Sequence, residues 1–186
     1  MKYSVLTVLS AIGLAVGSLP AFGLASAAAQ TAPEAPVSAA KLTVSELAGT
    51  WIEPFTERDD GEVITQGSEN VVEITPDGRF TDRLDVNFQF RSTSIFDGLY
   101  RFSSEGRVEI EGGKISWIVE RSKIDPVIPA DASDFKREAM RRFAKEVATG
   151  MEATETYPIV SYDGTELVMN AGAYDEGQHY TMTRRQ

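Results

Sequence analysis

His179 is the only histidine in the chain, and none of the 186 residues is cysteine. A histidine-rich metal site is therefore impossible, and a Ser-His-Asp triad would depend on this single side chain. The lack of cysteine excludes a thiolate metal site, a cysteine nucleophile and a disulfide framework. The sequence also has no glycine-rich phosphate loop, nucleophile elbow or dinucleotide fingerprint. It therefore assigns no catalytic residue, no metal ligand and no cofactor.

The acidic segment 57–62 (Glu-Arg-Asp-Asp-Gly-Glu) offers carboxylates, the side chains that coordinate Ca²⁺ in proteins. The segment lacks the spaced Asp-x-Asp-x-Asp-Gly pattern of a calcium loop, and Arg58 interrupts it. We therefore interpret it as a solvated hairpin loop.

The whole chain carries 28 acidic and 18 basic side chains, which gives a formal net charge of −10. Sequence-independent binding of nucleic acid or of an anionic lipid surface requires a cationic face. We therefore expect no nucleic-acid partner.

Residues 1–29 carry one charged side chain, Lys2, ahead of an apolar run and a stretch of small residues. This order is that of a secretory signal peptide, and cleavage after Ala27 or after Ala29 fits it equally well. We expect an exported protein of a bacterial envelope, periplasmic or extracellular, with no transmembrane span once the signal is removed.

The following residues, 30–41, are rich in alanine and proline and show no apolar period, which is typical of a flexible linker. The remainder, 42–186, fits one domain, because single domains commonly have about 100–150 residues.

Within this domain apolar and polar side chains alternate, most clearly over 79–91, where Asp82 is the one polar residue on the apolar parity. Such alternation indicates strands with one dry face and one wet face. We predict strands around Trp51 and at 70–75, 79–91, 98–103, 107–111, 114–121, 154–162, 165–170 and 178–185. Because most of them are joined by short turns, the pattern indicates an antiparallel meander closing into a barrel.

One helix is predicted within this series, near 133–149, with Ser133 as N-cap and Gly150 as stop. Its apolar side chains, from Phe135 to Val147, occupy one half of the helical wheel. We expect this half to pack on the barrel or over one of its open ends.

The other half of the helix is basic, and Arg137, Arg141 and Arg142 lie on it. Cations on one face could dock an acidic partner. Because glutamates are interspersed among them, an ordinary solvated face explains them as well.

The segment Ser45–Trp51 contains a Gly49-x-Trp51 motif that resembles the motif opening the barrel of lipocalins and other calycins. The resemblance implies a short 3₁₀ turn before the first strand and a tryptophan packed across the closed end. It also implies an arginine or lysine of the last strand stacked over that tryptophan, and Arg184 matches this position. The expected fold is therefore all-β with one inserted helix, a lipocalin-like antiparallel up-and-down barrel of about eight strands.

The apolar parity of such a barrel faces inward, where it either walls a cavity or fills the core. The large inward residues are predicted to be Phe80, Leu84, Phe88, Phe90, Tyr100, Phe102, Trp117 and Tyr180. A cavity would make the chain a binding protein for a small apolar or amphipathic ligand. A filled barrel would act as a protein-interaction module through its surface or its basic helix face. A calycin-type enzyme is the third hypothesis.

Overall fold

A computed structural model describes residues 42–55, 57–59, 61–149, 151, 153–170 and 179–186. The predicted signal peptide (1–29), the predicted linker (30–41) and Gly150 lie outside the described residues. The fold is an all-β closed antiparallel barrel of eight strands with one inserted helix, which confirms the predicted fold class. None of the helical residues described forms a segment long and apolar enough to cross a membrane.

The described elements begin with a 3₁₀ turn at Val44–Leu47. Ten strand segments follow, and their bounds are β1 Gly49–Glu53, β2 Arg58–Asp59, β3 Val63–Gly67, β4 Asn70–Ile74, β5 Arg79–Phe90, β6 Gly98–Glu111, β7 Lys114–Pro126, β8 Thr154–Tyr162, β9 Glu166–Asn170 and β10 His179–Arg184. The helix α1, Asp134–Thr149, lies between β7 and β8 in the chain.

The ten segments make eight barrel strands because two strands are interrupted. β4 pairs with the first half of β5 and β3 with its second half, so β3 and β4 follow one another along the same neighbour. β1 pairs with β4 and β2 pairs with β3, so β1 and β2 form the second interrupted strand. The ring then runs through β5, β6, β7, β8, β9 and β10, and β10 pairs with β1 to close it. Each strand is therefore adjacent to the next one in the chain.

The predicted strands at 98–103 and 107–111 are one continuous strand, β6. The prediction was wrong because Ser104 and Gly106 interrupt the apolar alternation although both are buried. Opposite them β7 contains a bulge, since Val119 pairs with Gly106 and Arg121 pairs with Glu105. The extra residue reverses the parity of β7. After it β7 continues to pair with β6 as far as Pro126, beyond the predicted end at residue 121.

The barrel core consists of two clusters of buried side chains. The closed-end cluster contains Trp51 and Leu47, next to the 3₁₀ turn. The helix-end cluster contains Met140 and Ala144 of α1, together with inward side chains of the long strands such as Phe88.

At the closed end Trp51 is fully buried, and its indole Nε1 donates a 2.7 Å hydrogen bond to the Leu47 carbonyl oxygen. The guanidinium carbon of Arg184 lies 4.7 Å from the centroid of the Trp51 ring, within the range of a cation–π contact. Arg184 also donates to the Glu46 carbonyl oxygen and to the Tyr162 hydroxyl. These contacts tie the 3₁₀ turn to the first and last strands.

At the other end α1 begins after Ser133, whose hydroxyl oxygen accepts a 3.2 Å hydrogen bond from the Lys136 backbone N–H. Met140 and Ala144 are buried against the helix-end cluster, but Phe135 is 74% exposed. The expectation that the whole apolar half of the helix packs on the barrel was wrong for Phe135, which lies at the edge of that half. Five residues separate it from Met140, which places it about 140° away around the helix.

Candidate ligand-binding cavity

A cavity of about 50 Å³ remains inside the barrel beside the closed-end cluster. Four aromatic side chains contribute to its wall, and they are Phe80, Trp117, Tyr157 and Tyr180. Four further polar side chains, those of Glu53, Asn70, Asp82 and Glu155, complete the part of the wall that can make hydrogen bonds. The cavity therefore combines an aromatic surface with acidic groups.

The strands direct these polar side chains inward because side chains two residues apart share one face. Glu53 ends β1 two residues after the buried Trp51, and its register partner Asn70 begins β4. Asp82 lies between the inward residues Phe80 and Leu84 of β5. In β8 the inward parity begins with Glu155, which is opposite Trp117 of β7.

Glu53 and Asn70 form a hydrogen-bonded pair, in which Asn70 Nδ2 donates to Glu53 Oε2 over 3.2 Å. Burial raises the pKa of Glu53 above its ordinary value, and this hydrogen bond opposes the increase. The carboxylate of Asp82 raises the pKa of Glu53 further, whereas the Arg58 guanidinium lowers it. Glu53 and Asp82 therefore repel each other when both are ionised.

Asp82 accepts a 2.6 Å hydrogen bond at Oδ1 from the backbone N–H of Ser104 on β6. Burial nevertheless raises the pKa of Asp82 to about 6, because the interaction with Ser104 only partly offsets the loss of water. Asp82 therefore changes charge close to neutral pH.

Glu155 is 9% exposed and accepts a hydrogen bond at Oε2 from the Tyr157 hydroxyl. Burial raises the pKa of Tyr157, and the neighbouring Glu155 carboxylate raises it again. Tyr157 therefore stays protonated and acts as a hydrogen-bond donor.

The acceptors of the cavity are not balanced by cations within the described residues, since no lysine, arginine or histidine among them contributes to its wall. Asn70 is 6% exposed, and its Oδ1 is buried without a hydrogen-bond partner in the described part of the chain. Over the same residues no three carboxylate or imidazole groups come together in a way that could hold a metal ion. The arrangement thus suits a hydrogen-bond donor or an organic cation.

The structure divides the eight predicted inward aromatic and aliphatic residues between two regions. Phe80, Trp117 and Tyr180 line the cavity. The other five belong to or pack on the helix-end cluster, and they are Leu84, Phe88, Phe90, Tyr100 and Phe102. The ring centroids of Phe88 and Phe143 of α1, for example, are 5.8 Å apart. Most of the lumen at that end is therefore filled with side chains.

The polar half of the cavity wall was missed by sequence reasoning except for Asp82. A signal for it exists, since Glu53, Asn70 and Glu155 each occupy the inward parity of their strand. When several strands each carry a polar residue among their inward side chains, the sequence predicts a layer of polar groups inside the barrel.

The basic face of α1 is less uniform than its sequence suggests. Arg137 is half-buried, and its guanidinium donates hydrogen bonds of 2.9 Å and 2.6 Å to the carbonyl oxygens of Ala132 and Ala130. Arg142 is exposed and pairs with Glu146 over 2.9 Å, and Arg141 is exposed. Arg137 thus fixes the turn before the helix, and an acidic partner for this face stays a prediction.

The two other sequence candidates lie outside the cavity wall. His179 is exposed at the start of β10. In the acidic segment, Asp59 accepts hydrogen bonds from the Gly61 backbone N–H and from the Arg91 guanidinium. These contacts hold a local turn and lower the pKa of Asp59.

The fold and the cavity define a closed eight-stranded antiparallel barrel with a polar site inside, an architecture compatible with a lipocalin-like barrel. No protein-family model matches the chain, and no curated protein matches it. The chain is similar to the crystal structure of an uncharacterized protein from Bacteroides eggerthii DSM 20697, at 15% sequence identity and a TM-score of 0.35. The match covers 74% of this chain and 98% of that one.

Proposed function

We propose that this chain is an exported, lipocalin-like binding protein whose cavity holds a small amphipathic ligand in the bacterial envelope. One observation carries the proposal: a cavity with aromatic and carboxylate walls lies inside a closed barrel. An apolar part of a ligand would pack against rings such as those of Phe80 and Trp117. Its polar part would contact Glu53, Asn70 and Asp82.

The volume of the cavity limits the ligand. One water molecule needs roughly 10–15 Å³ of such space, so about 50 Å³ admits about four water molecules or an organic group of similar size. Pockets for drug-sized ligands measure roughly 300–1,000 Å³. The ligand is therefore a short-chain molecule, or a longer one that inserts only its end.

Export is the part of the proposal that rests on sequence. Residues 1–29 have the order of a signal peptide, and 30–41 have the composition of a linker to the barrel domain. We propose that the barrel works in the periplasm or outside the cell after removal of this segment.

A second function, acid–base catalysis in the same cavity, is favoured by Asp82. A general acid or base works best when its pKa lies near the working pH, and that of Asp82 is about 6. Catalysis would convert a bound molecule, so the compound released from the protein would differ in chemical structure, as read from its NMR spectrum, from the compound added. A binding protein would release it unchanged.

The binding proposal predicts a saturable change in the fluorescence of Trp117. The mature protein would be titrated with short-chain alcohols, amines and carboxylates of four to six carbons, and its complexes weighed by native mass spectrometry. We expect 1:1 adducts and a matching emission change with at least one of these classes, because Trp117 lines the cavity. The mass of the exported protein also gives its N-terminus, expected after Ala27 or Ala29.

The matched control is Trp117→Phe. This variant keeps an aromatic ring in the wall and leaves Trp51, buried at the closed end, as the remaining tryptophan. The adducts should persist in the variant while the emission change disappears. A protein that forms no adduct with any class, and whose Trp117 emission stays constant, would contradict the proposed function.

A further inference from the structure

We infer that the ligand of this cavity carries a primary ammonium group, held by the carboxylates of Glu53 and Asp82 and by the side-chain oxygen of Asn70. The inference rests on the proposed function, because it names the chemical class of the ligand at that same site. The apolar remainder of the ligand would lie against the aromatic side of the wall.

The wall of the cavity is acidic. Glu53, Asp82 and Glu155 contribute three carboxyl groups, and among the described residues no cationic side chain lines the cavity. Arg58 acts on Glu53 without lining the cavity itself. Buried carboxylates are costly unless a cation or hydrogen-bond donors accompany them. Asn70, Ser104 and Tyr157 donate hydrogen bonds to these three groups but bring no positive charge. A ligand cation would supply that charge, whereas an anionic ligand would add to the repulsion between Glu53 and Asp82.

The buried amide of Asn70 favours an ammonium ligand independently of charge. Its orientation is fixed because Nδ2 donates to Glu53 Oε2, so Oδ1 is the atom left as an acceptor. Asn70 is 6% exposed, and Oδ1 has no partner among the described residues. A buried acceptor without a donor costs about 1–3 kcal/mol. An ammonium N–H would satisfy it, and a quaternary ammonium, which has no N–H, would not.

The aromatic side of the wall also favours an alkylammonium ligand. Phe80 and Trp117 form an edge-to-face pair with ring centroids 5.2 Å apart, and Tyr157 and Tyr180 form another at 5.5 Å. Trp117 and Tyr180 keep partial exposure, so their surfaces are not fully covered by the protein. Aromatic rings attract cations and also pack against alkyl chains. An alkylammonium ion offers both kinds of contact.

The net charge of the whole chain also favours a cationic ligand. A formal net charge of −10 raises the local concentration of cations and speeds their encounter with the protein. The effect is general and weak compared with the contacts inside the cavity. It favours cationic over anionic small molecules as partners.

The inference is tested with three probes of nearly equal chain length at pH 7.5, which are n-butylammonium, 1-butanol and butyltrimethylammonium. Binding would be measured by calorimetry and by Trp117 emission. We expect n-butylammonium to bind at least tenfold more tightly than either of the others. Equal or tighter binding of 1-butanol would overturn the inference and leave the proposed function standing. Equal binding of butyltrimethylammonium would overturn the assignment of a primary ammonium. Binding of none of the three would overturn the inference, and the proposed function falls with it only if the short-chain carboxylates also fail to bind.

Two variants locate the preference in the cavity. Asp82→Asn keeps an oxygen that accepts the Ser104 N–H, and Glu53→Gln keeps the size of the side chain. Each should weaken n-butylammonium binding at least tenfold and leave 1-butanol binding within a factor of about three. Glu73→Gln removes an exposed carboxylate of the same sheet and should change neither. Unchanged n-butylammonium affinity in both cavity variants would overturn the inference.

Discussion

The Asp82→Asn variant is expected to be more stable than the natural protein at pH 7.5 and to unfold at a higher denaturant concentration. Its free energy of unfolding should be larger by up to about 3 kcal/mol. The folded protein holds Asp82 at a pKa of about 6, against an ordinary value of 3.8. A difference of about two units corresponds to about 3 kcal/mol, and partial solvation of the carboxylate makes this an upper bound. Asparagine removes the charge and retains the acceptor for the Ser104 N–H.

The sign of the pH dependence follows from the direction of the shift. Between about pH 4 and pH 6 the folded state binds a proton at Asp82 that the unfolded state has released. The stability of the natural protein therefore falls as the pH rises through this window and stays lower above it. The Asp82→Asn variant does not lose this stability. The difference in free energy of unfolding between the variant and the natural protein should therefore grow as the pH rises from about 4 to 6 and vanish below pH 4.

Urea unfolding at pH 4, 5, 6 and 7.5 measures this difference, with Glu73→Gln as control for the removal of one negative charge. Glu73 is exposed on β4, and we expect its variant to stay within about 0.5 kcal/mol of the natural protein at every pH. A destabilised Asp82→Asn variant at pH 7.5 would show that Asp82 has a structural partner instead. The predicted gain is the stability that the protein forgoes by keeping a charged cavity.

Gly106→Ala is expected to destabilise the barrel by about 3 kcal/mol or more. Gly106 lies in β6 opposite the bulge of β7, where the two backbones approach closely. A methyl group at this position would lie 2.0 Å from the Ile118 carbonyl oxygen and 3.0 Å from an edge carbon of Phe80. The backbone oxygen cannot move aside without breaking the pairing of β6 with β7.

The control for Gly106→Ala is Gly112→Asn, in the turn between β6 and β7. Gly112 has a φ of +58°, which asparagine tolerates, and nothing would lie within 4 Å of an added Cβ. Thermal and urea unfolding should show a change below about 1 kcal/mol for this control. A Gly106→Ala protein as stable as the control would contradict the close approach at the bulge.

Most strands and their order were predictable because the alternation of apolar and polar residues has the period of the strand itself, although no strand was predicted at Val63–Gly67. Asn70–Ile74, Thr154–Tyr162 and the turns that follow them agree with the prediction within a residue or two. The end of β7 was not predictable, since the bulge between Val119 and Arg121 shifts the apolar parity. A bulge depends on the facing strand, here on Gly106, and has no reliable local signal.

The cavity was less predictable than the fold. Glu53, Asn70 and Glu155 are at or near strand ends, where an inward polar residue resembles one exposed to solvent. Their convergence depends on register, which places Glu53 opposite Asn70 and Trp117 opposite Glu155. Register between distant strands is set by the whole barrel, so parity could have indicated inward polar residues but not their convergence on one cavity.

The most direct test of the central claim is to locate a bound ligand with methionine methyl groups as reporters. Besides Met1, which belongs to the predicted signal peptide, the chain has four methionines. Met169 and Met182 line the cavity, whereas Met140 and Met151 belong to the helix-end cluster. With [¹³C]methyl-labelled methionine, saturating n-butylammonium should shift the NMR signals of Met169 and Met182 and leave those of Met140 and Met151 in place. Shifts confined to Met140 and Met151, or no shift with either n-butylammonium or 1-butanol, would contradict a ligand site in this cavity.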